Sequence, residues 1–135
     1  MIIIALRGIG STGKSSAIWH LHDQLMPPDG FVQIANMERR WGDIVDELTK
    51  NGKRIGMAGM GDHVDFLEPR IDEFQQNKCD VVVCACRSRG GTNELLRQYG
   101  QVVFLEKTRE PNQARQAGIN QQDAQRVLQE LNRQI

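Results

Sequence analysis

The start of the chain holds the feature that most constrains the fold. A short apolar run at residues 2–6 leads almost directly into segment 8–15, Gly-Ile-Gly-Ser-Thr-Gly-Lys-Ser. Helical spacing follows, because Ile18, Leu21 and Leu25 share one helical face. This order predicts a buried strand, a glycine-rich turn and a helix, and therefore an α/β unit with the turn at the carboxyl end of the strand.

The glycine spacing in segment 8–15 is typical of a phosphate-binding loop. Glycines let backbone N–H groups converge on an anion, and the helix start adds its positive dipole end. Lys14 would reach the β and γ phosphates of a nucleotide, and the Ser15 hydroxyl would bind Mg²⁺. The expected nucleotide contacts are Gly8, Gly10, Ser11, Thr12, Gly13, Lys14, Ser15 and Ser16. The pattern arises by chance in about one such chain in 200, so a turn that binds nothing is the weaker interpretation.

These residues resemble the Walker A segment of the P-loop NTPases. More loosely, the chain is similar to the branch of small kinases that includes shikimate, gluconate and adenylate kinases. The specific match covers about the first 25 residues, and the remainder agrees in the order of its elements. The resemblance implies a three-layer α/β/α fold with a five-stranded parallel sheet in the order 2-3-1-4-5. It also implies ATP and Mg²⁺ as ligands of a single nucleotide-binding domain over residues 1–135.

Short apolar runs alternate with helical patterns along the rest of the chain. The runs at residues 2–6, 31–35, 54–58, 81–85 and 102–105 predict five strands. Their apolarity is continuous rather than alternating, which indicates strands buried on both faces, as in a parallel sheet.

The spacing between and after these runs predicts further helices. One would carry an apolar face at residues 44–48, and another would either begin at Pro69 or kink there. Thr92 and Asn120 are expected to cap the last two helices.

A second acidic group is expected at Asp62. In the strand order implied by the resemblance, the third strand ends beside segment 8–15 and leads into Asp62. Ligands in open α/β sheets bind at the carboxyl ends of strands, so Asp62 could hold Mg²⁺ through water or orient the attacking oxygen. The alternative is that Asp62 caps a helix and His63 lies on the surface. Asp80 precedes its strand and is expected at the opposite end of the sheet in a structural role.

Arginines follow the last two predicted strands. Arg87 and Arg89 flank a short turn that contains glycine. They could clamp phosphate or stabilise transition-state charge, and the alternative is a solvated basic turn. Arg109 could stack on a purine base. No Asn-Lys-x-Asp guanine-reading pattern is present, so ATP is expected rather than GTP. Glu38 or Arg39 could contact a phosphate acceptor, although a charged loop is the favoured interpretation there.

Composition limits the partners and the location. The chain has 17 basic and 17 acidic residues, and 5% of its residues are aromatic. This balance gives no general reason to bind an anionic membrane, and the few aromatics argue against a nucleic-acid groove. The apolar start is too short for a signal peptide or a membrane span. We therefore expect a cytoplasmic protein whose cysteines, Cys79, Cys84 and Cys86, are small core residues. No partner is predicted for His20 or His22.

Two functions fit these observations. The first is an enzyme that binds MgATP and transfers the γ-phosphoryl group to an acceptor, as a small kinase does, or to water. Its catalytic residues would be Lys14, Asp62, Arg87 and Arg89. The alternative is a nucleotide-dependent regulatory or interaction protein with little turnover, because 135 residues leave little room for an acceptor pocket and a closing lid. A homodimer or another protein partner remains open.

Overall fold

The computed structural model describes residues 1–8, 14–25, 32–33, 38–40, 43–59, 63–88 and 90–135. At residues 15, 24, 25, 32, 33, 38–40, 43 and 44 only the backbone is described. The strands in these ranges are β1 (Ile2–Arg7), β2 (Val32–Gln33), β3 (Glu38–Arg40), β4 (Asp43–Lys50), β5 (Lys53–Ala58), β6 (Val81–Cys86) and β7 (Gln101–Glu106). The helices are α1 (Lys14–Leu25), α2 (Val64–Gln76), α3 (Gly91–Tyr99) and α4 (Gln113–Gln134).

The strands in the described ranges form one sheet in the order β2-β4-β5-β6-β1-β7, and β3 also pairs with β4. Neighbouring strands among β5, β6, β1 and β7 are parallel, whereas β4 is antiparallel to β2, β3 and β5. This architecture confirms the predicted α/β class and a mostly parallel sheet.

The predicted strand order, 2-3-1-4-5, is wrong. The run at residues 54–58 forms β5, and β6 separates β5 from β1. The predicted order requires the run at residues 31–35 to be a parallel core strand. Its described part, β2, instead belongs to an antiparallel extension at the sheet edge. Along the sheet, the four mutually parallel strands follow the order β5-β6-β1-β7.

The helix predicted at residues 44–48 is also wrong, because these residues belong to β4. A two-residue turn at Asn51 and Gly52 joins β4 to β5, with Lys50 paired to Lys53. Both turn residues have positive φ, 56° and 74° respectively. A tight hairpin turn requires such angles, and Asn-Gly is the pair that adopts them most readily.

Apolar side chains from the two faces of the sheet form two clusters with different helices. Ile4 and Leu6 of β1 pack with residues of α1 and α4, including Ile18 and Val127. Ile3 and Ala5 pack on the other face with residues of α2 and α3. The alternation follows from the period of two along a strand, and it explains why β1 reads as continuously apolar.

The helix boundaries differ from two of the predicted caps. Asn112 caps α4, with its side chain accepting a hydrogen bond from the Ala114 N–H, so Asn120 lies inside the helix. Gly90 occupies the cap position of α3, and Thr92 lies within that helix. Pro69 lies inside α2, which begins earlier, at Val64. Among the described helices, none has the length and apolarity needed to cross a membrane.

Candidate functional site

The candidate site lies where β1 ends and α1 begins. The Lys14 ammonium donates a hydrogen bond of 2.6 Å to the Gly8 carbonyl, and Lys14 is only 5% exposed although it is the first residue of α1. The Gly8 N–H in turn donates to the Cys86 carbonyl of β6 at 3.1 Å. A buried ammonium beside a helix start concentrates positive charge at the carboxyl end of β1, and such an arrangement favours an anion.

The structure brings together only part of the predicted nucleotide segment. Gly8 and Lys14 are in contact, and Ser16 is exposed on the first turn of α1. Gly10, Ser11, Thr12 and Gly13 lie outside the described residues, as does the side chain of Ser15.

Cys86 is a residue of this site that the sequence interpretation treated only as core. It ends β6, the strand next to β1, and its thiol lies 3.4 Å from the Asn93 Oδ1 of α3. Burial raises the pKa of the Cys86 thiol to about 12, against the opposing effect of the nearby Arg7 and Lys14 cations. Only the pairing of β6 with β1 could have indicated this proximity, and no local signal specifies that pairing.

The turn after β6 is held by Thr92. The Arg87 N–H donates to the Thr92 hydroxyl at 3.1 Å, so Thr92 closes the turn. Gly90 has a φ of 103°, a conformation that a residue with a side chain rarely adopts. The Arg87 side chain is exposed at the carboxyl end of β6, and Arg89 lies outside the described residues.

Arg7, immediately before Gly8, was also missed. Its guanidinium donates to the Glu106 carboxylate at 2.7 Å and lies 4.3 Å from the Phe104 ring centroid. The hydrogen bond to Glu106 raises the pKa of Arg7. Arg97 of α3 lies 5.2 Å from the same ring. The Glu106 carboxylate balances the charge of Arg7.

A buried ionic cluster holds the chain that follows β7. The Lys107 ammonium lies 2.8 Å from Asp123 of α4, and both side chains are 1% exposed. Thr108 donates to the same carboxylate through its N–H at 3.1 Å and its hydroxyl at 2.8 Å. Arg126 donates to it at 2.7 Å. Arg109 is the next residue of this anchored segment and is exposed.

The strand before Asp62 is not the neighbour of β1 that the predicted strand order required. Asp62 lies outside the described residues, beyond the end of β5, and β6 separates β5 from β1. His63 is exposed and makes no side-chain capping bond at the start of α2, as its surface interpretation expected. Across the described ranges, no group of three or more His, Cys, Asp or Glu side chains could hold a metal ion.

Two buried acids of β4, Asp46 and Glu47, form hydrogen bonds that join β4 to neighbouring elements. His22, for which no partner was predicted, lies 2.7 Å from the buried Asp46 carboxylate of β4. Glu47, the next residue, accepts hydrogen bonds from Asn77 at 2.9 Å and from Arg54 at 3.1 Å.

Asp80 lies at the amino ends of the strands, as predicted. Its carboxylate accepts a hydrogen bond from the Arg54 N–H at 2.9 Å, and its carbonyl accepts one from the Ile2 N–H at 3.0 Å. Asp80 thus joins the starts of β1 and β5, away from Lys14.

Comparison of the chain with protein-family models, with curated proteins and with solved structures finds no match.

The thiols should resist alkylation in the folded protein. Burial raises the pKa of Cys79 and of Cys86 to about 12 and that of Cys84 well above its usual value. Because the thiolate is the reactive form, labelling by iodoacetamide near neutral pH should be at least about 100-fold slower than in denaturant. Mass spectrometry of the labelled chain checks this. Rapid labelling of Cys86 in the native protein would contradict its described burial.

Proposed function

We propose that this protein is a P-loop NTPase that binds MgATP through segment 8–15. The observation that carries the proposal is the buried Lys14 ammonium at the start of α1, 2.6 Å from the Gly8 carbonyl. An ammonium in this position can leave the carbonyl for a phosphate oxygen, and the N-terminal turn of the helix supplies further N–H donors.

The overall architecture supports this proposal. The strand that leads into segment 8–15, β1, lies inside the sheet with a parallel neighbour on each side, β6 and β7. The two apolar clusters favour three layers, with α1 and α4 on one face and α2 and α3 on the other. A cytoplasmic location is part of the proposal, since Cys79, Cys84 and Cys86 are buried and unpaired.

Each residue of the site has a distinct role in the proposed binding of MgATP. Lys14 and the backbone of segment 8–15 hold the phosphates, and Ser15 holds Mg²⁺, which would neutralise phosphate charge. Arg87 and Arg89 stabilise charge that develops on the γ-phosphoryl group. Arg109 packs against the base. Asp62 would have to reach past the end of β6 to act as the second acid.

The reaction we propose is γ-phosphoryl transfer to an acceptor or to water. One observation favours the alternative, a nucleotide-dependent regulatory protein with little turnover. The strand beside β1 ends in Cys86 and is followed by Arg87 and the buried pair Thr92 and Asn93. These described side chains offer a thiol, a guanidinium, a hydroxyl and an amide. The carboxylate that ends the other neighbouring strand, Glu106 of β7, accepts a hydrogen bond from Arg7 and would have to leave it to orient an attacking oxygen.

Calorimetry and phosphate release together test the proposal. Titration with MgATP should show binding below millimolar concentration, and excess EDTA should weaken it. Phosphate release above background then distinguishes the enzyme from the regulatory protein, for which binding without turnover over hours is expected. The absence of binding at millimolar MgATP would defeat both functions.

A further inference from the structure

The outermost strand of the sheet, β7, is open along one side. It occupies the end of the strand order, and β1 is its only strand neighbour in the described part of the chain. The side chains from Val102 to Leu105 are partly exposed. An apolar edge strand of this kind can pair with another strand, and native proteins usually cover or interrupt such edges.

The backbone contacts establish which peptide groups face outward. The Lys107 N–H donates to the Arg7 carbonyl at 2.7 Å, so Lys107 faces β1. Because the facing direction alternates along a strand, Val103 and Leu105 also face β1, whereas Val102 and Phe104 face outward with Glu106.

The outward-facing carbonyl of Glu106 already accepts a hydrogen bond from Arg126. The Arg126 guanidinium donates to this carbonyl at 2.9 Å. The N–H and C=O groups of Val102 and Phe104 have no hydrogen-bond partner among the described residues. The available edge is therefore confined to two outward-facing residues with one inward-facing residue, Val103, between them.

We propose that β7 pairs antiparallel with β7 of a second copy of this chain, about a two-fold axis at Val103. Val102 of each copy then lies opposite Phe104 of the other. Each such pair exchanges two N–H···O bonds, and the pair occurs twice, so the N–H and C=O groups of Val102 and Phe104 are satisfied on each copy. The sheet continues across the axis without a break.

The self-complementary geometry argues for a second copy as the occupant. In this register, directly opposed residues lie on the same face of the sheet. Val102 and Phe104 already pack against the apolar cluster on the α2 and α3 face, so the same residues of the second copy would extend that cluster. A register centred on Phe104 would instead require the Glu106 carbonyl that Arg126 holds.

Charge permits the same pairing. Residues 101–105 carry no charged side chain, and the whole chain has a formal net charge of zero. Two copies therefore meet without like charges opposed along the strand. The proposal does not involve segment 8–15, so it stands or falls independently of nucleotide binding.

The strand is short, and the dimer should be weak. A single pair of six-residue strands buries less than the roughly 1,200 Å² of a standard interface, so we expect a dissociation constant in the micromolar range. Sedimentation over about 1–500 µM protein should show a monomer becoming a dimer. A monomer at every concentration would overturn the proposal, because β7 would then not pair with a second copy of this chain.

Two proline variants locate the interface. Val102→Pro removes an outward N–H that β1 does not use, so the variant should keep its circular dichroism spectrum and remain monomeric. Val103→Pro, the matched control, removes an N–H that faces β1 and should lose folded structure. Dimerisation of a folded Val102→Pro with the affinity of the natural chain would contradict the proposal.

Hydrogen exchange provides a test without substitution. The amide protons of Val102 and Phe104 should exchange rapidly in dilute protein and at least about 10-fold more slowly in concentrated protein. The Val103 amide, which faces β1, should show no comparable dependence. Equal exchange of the outward amides at both concentrations would overturn the proposal even if Val102→Pro fails to fold.

Discussion

Replacement of Lys14 by alanine is expected to weaken MgATP binding by about 100- to 1,000-fold. Hydrogen bonds to charged groups contribute about 1.5–3 kcal/mol each, and an ammonium, with three donors, can make more than one with a triphosphate. Calorimetry with the natural chain and the variant measures the effect. Any phosphate release by the natural chain should be lost in the variant as well.

Lys53→Ala is the matched control for this variant. Lys53 is exposed at the amino end of β5, so the substitution removes the same charge far from the candidate site. Its affinity for MgATP should change less than about twofold. If Lys14→Ala binds MgATP as tightly as Lys53→Ala does, the nucleotide does not bind through segment 8–15.

Asp123→Asn should lower the free energy of unfolding by about 3–5 kcal/mol, because it leaves the buried Lys107 ammonium without its counter-charge. The Lys107 and Asp123 side chains are each 1% exposed, so solvent cannot compensate. Urea denaturation at neutral pH measures the loss. Glu130→Gln is the control: it removes a charge from the same helix, but its partner Arg133 is exposed and the amide can still bond Gln134, so the expected change is below about 1 kcal/mol.

The stability supplied by Asp123 should depend on pH in a defined direction. Burial alone would raise its pKa, but hydrogen bonds from Lys107, Thr108 and Arg126 outweigh burial and lower the pKa below 3.8. A carboxyl group with a lowered pKa stabilises the fold above its unfolded-state pKa and loses that effect as pH falls through the folded-state value.

The difference in unfolding free energy between the natural chain and Asp123→Asn should therefore be constant near neutral pH and shrink below about pH 4. Denaturation at a series of pH values checks this. A difference that stays the same down to pH 3 would show that the carboxylate charge is not what stabilises the cluster.

Local patterns predicted the parts of this fold that depend on local interactions. The apolar run at residues 2–6 and the helical spacing after segment 8–15 predicted β1 and α1, since both depend on neighbours in sequence. Residues 44–48 were misassigned because Val45 and Leu48 of β4 are buried on opposite faces. A strand buried on both faces shows no alternation and can match helical spacing by coincidence.

The candidate site divides in the same way. The contact between Lys14 and Gly8 joins residues close in sequence, and the glycine pattern placed both in one segment, although it predicted phosphate rather than the Gly8 carbonyl as the partner of Lys14. The neighbours Cys86 and Asn93 depend on β6 lying beside β1, a long-range pairing that no pattern within either strand specifies. The same long-range pairing places β5, the strand before Asp62, one strand away from β1.

The consecutive buried acids of β4 bear on how its pairing register is chosen. Asp46 points to the α1 face, where it meets His22, and Glu47 points to the α2 face, where it meets Asn77 and Arg54. A slip of one residue against β5 would exchange the two faces and bury each carboxylate away from its partners. The two buried acids thus make the observed register of the β4–β5 hairpin more stable than registers shifted by one residue.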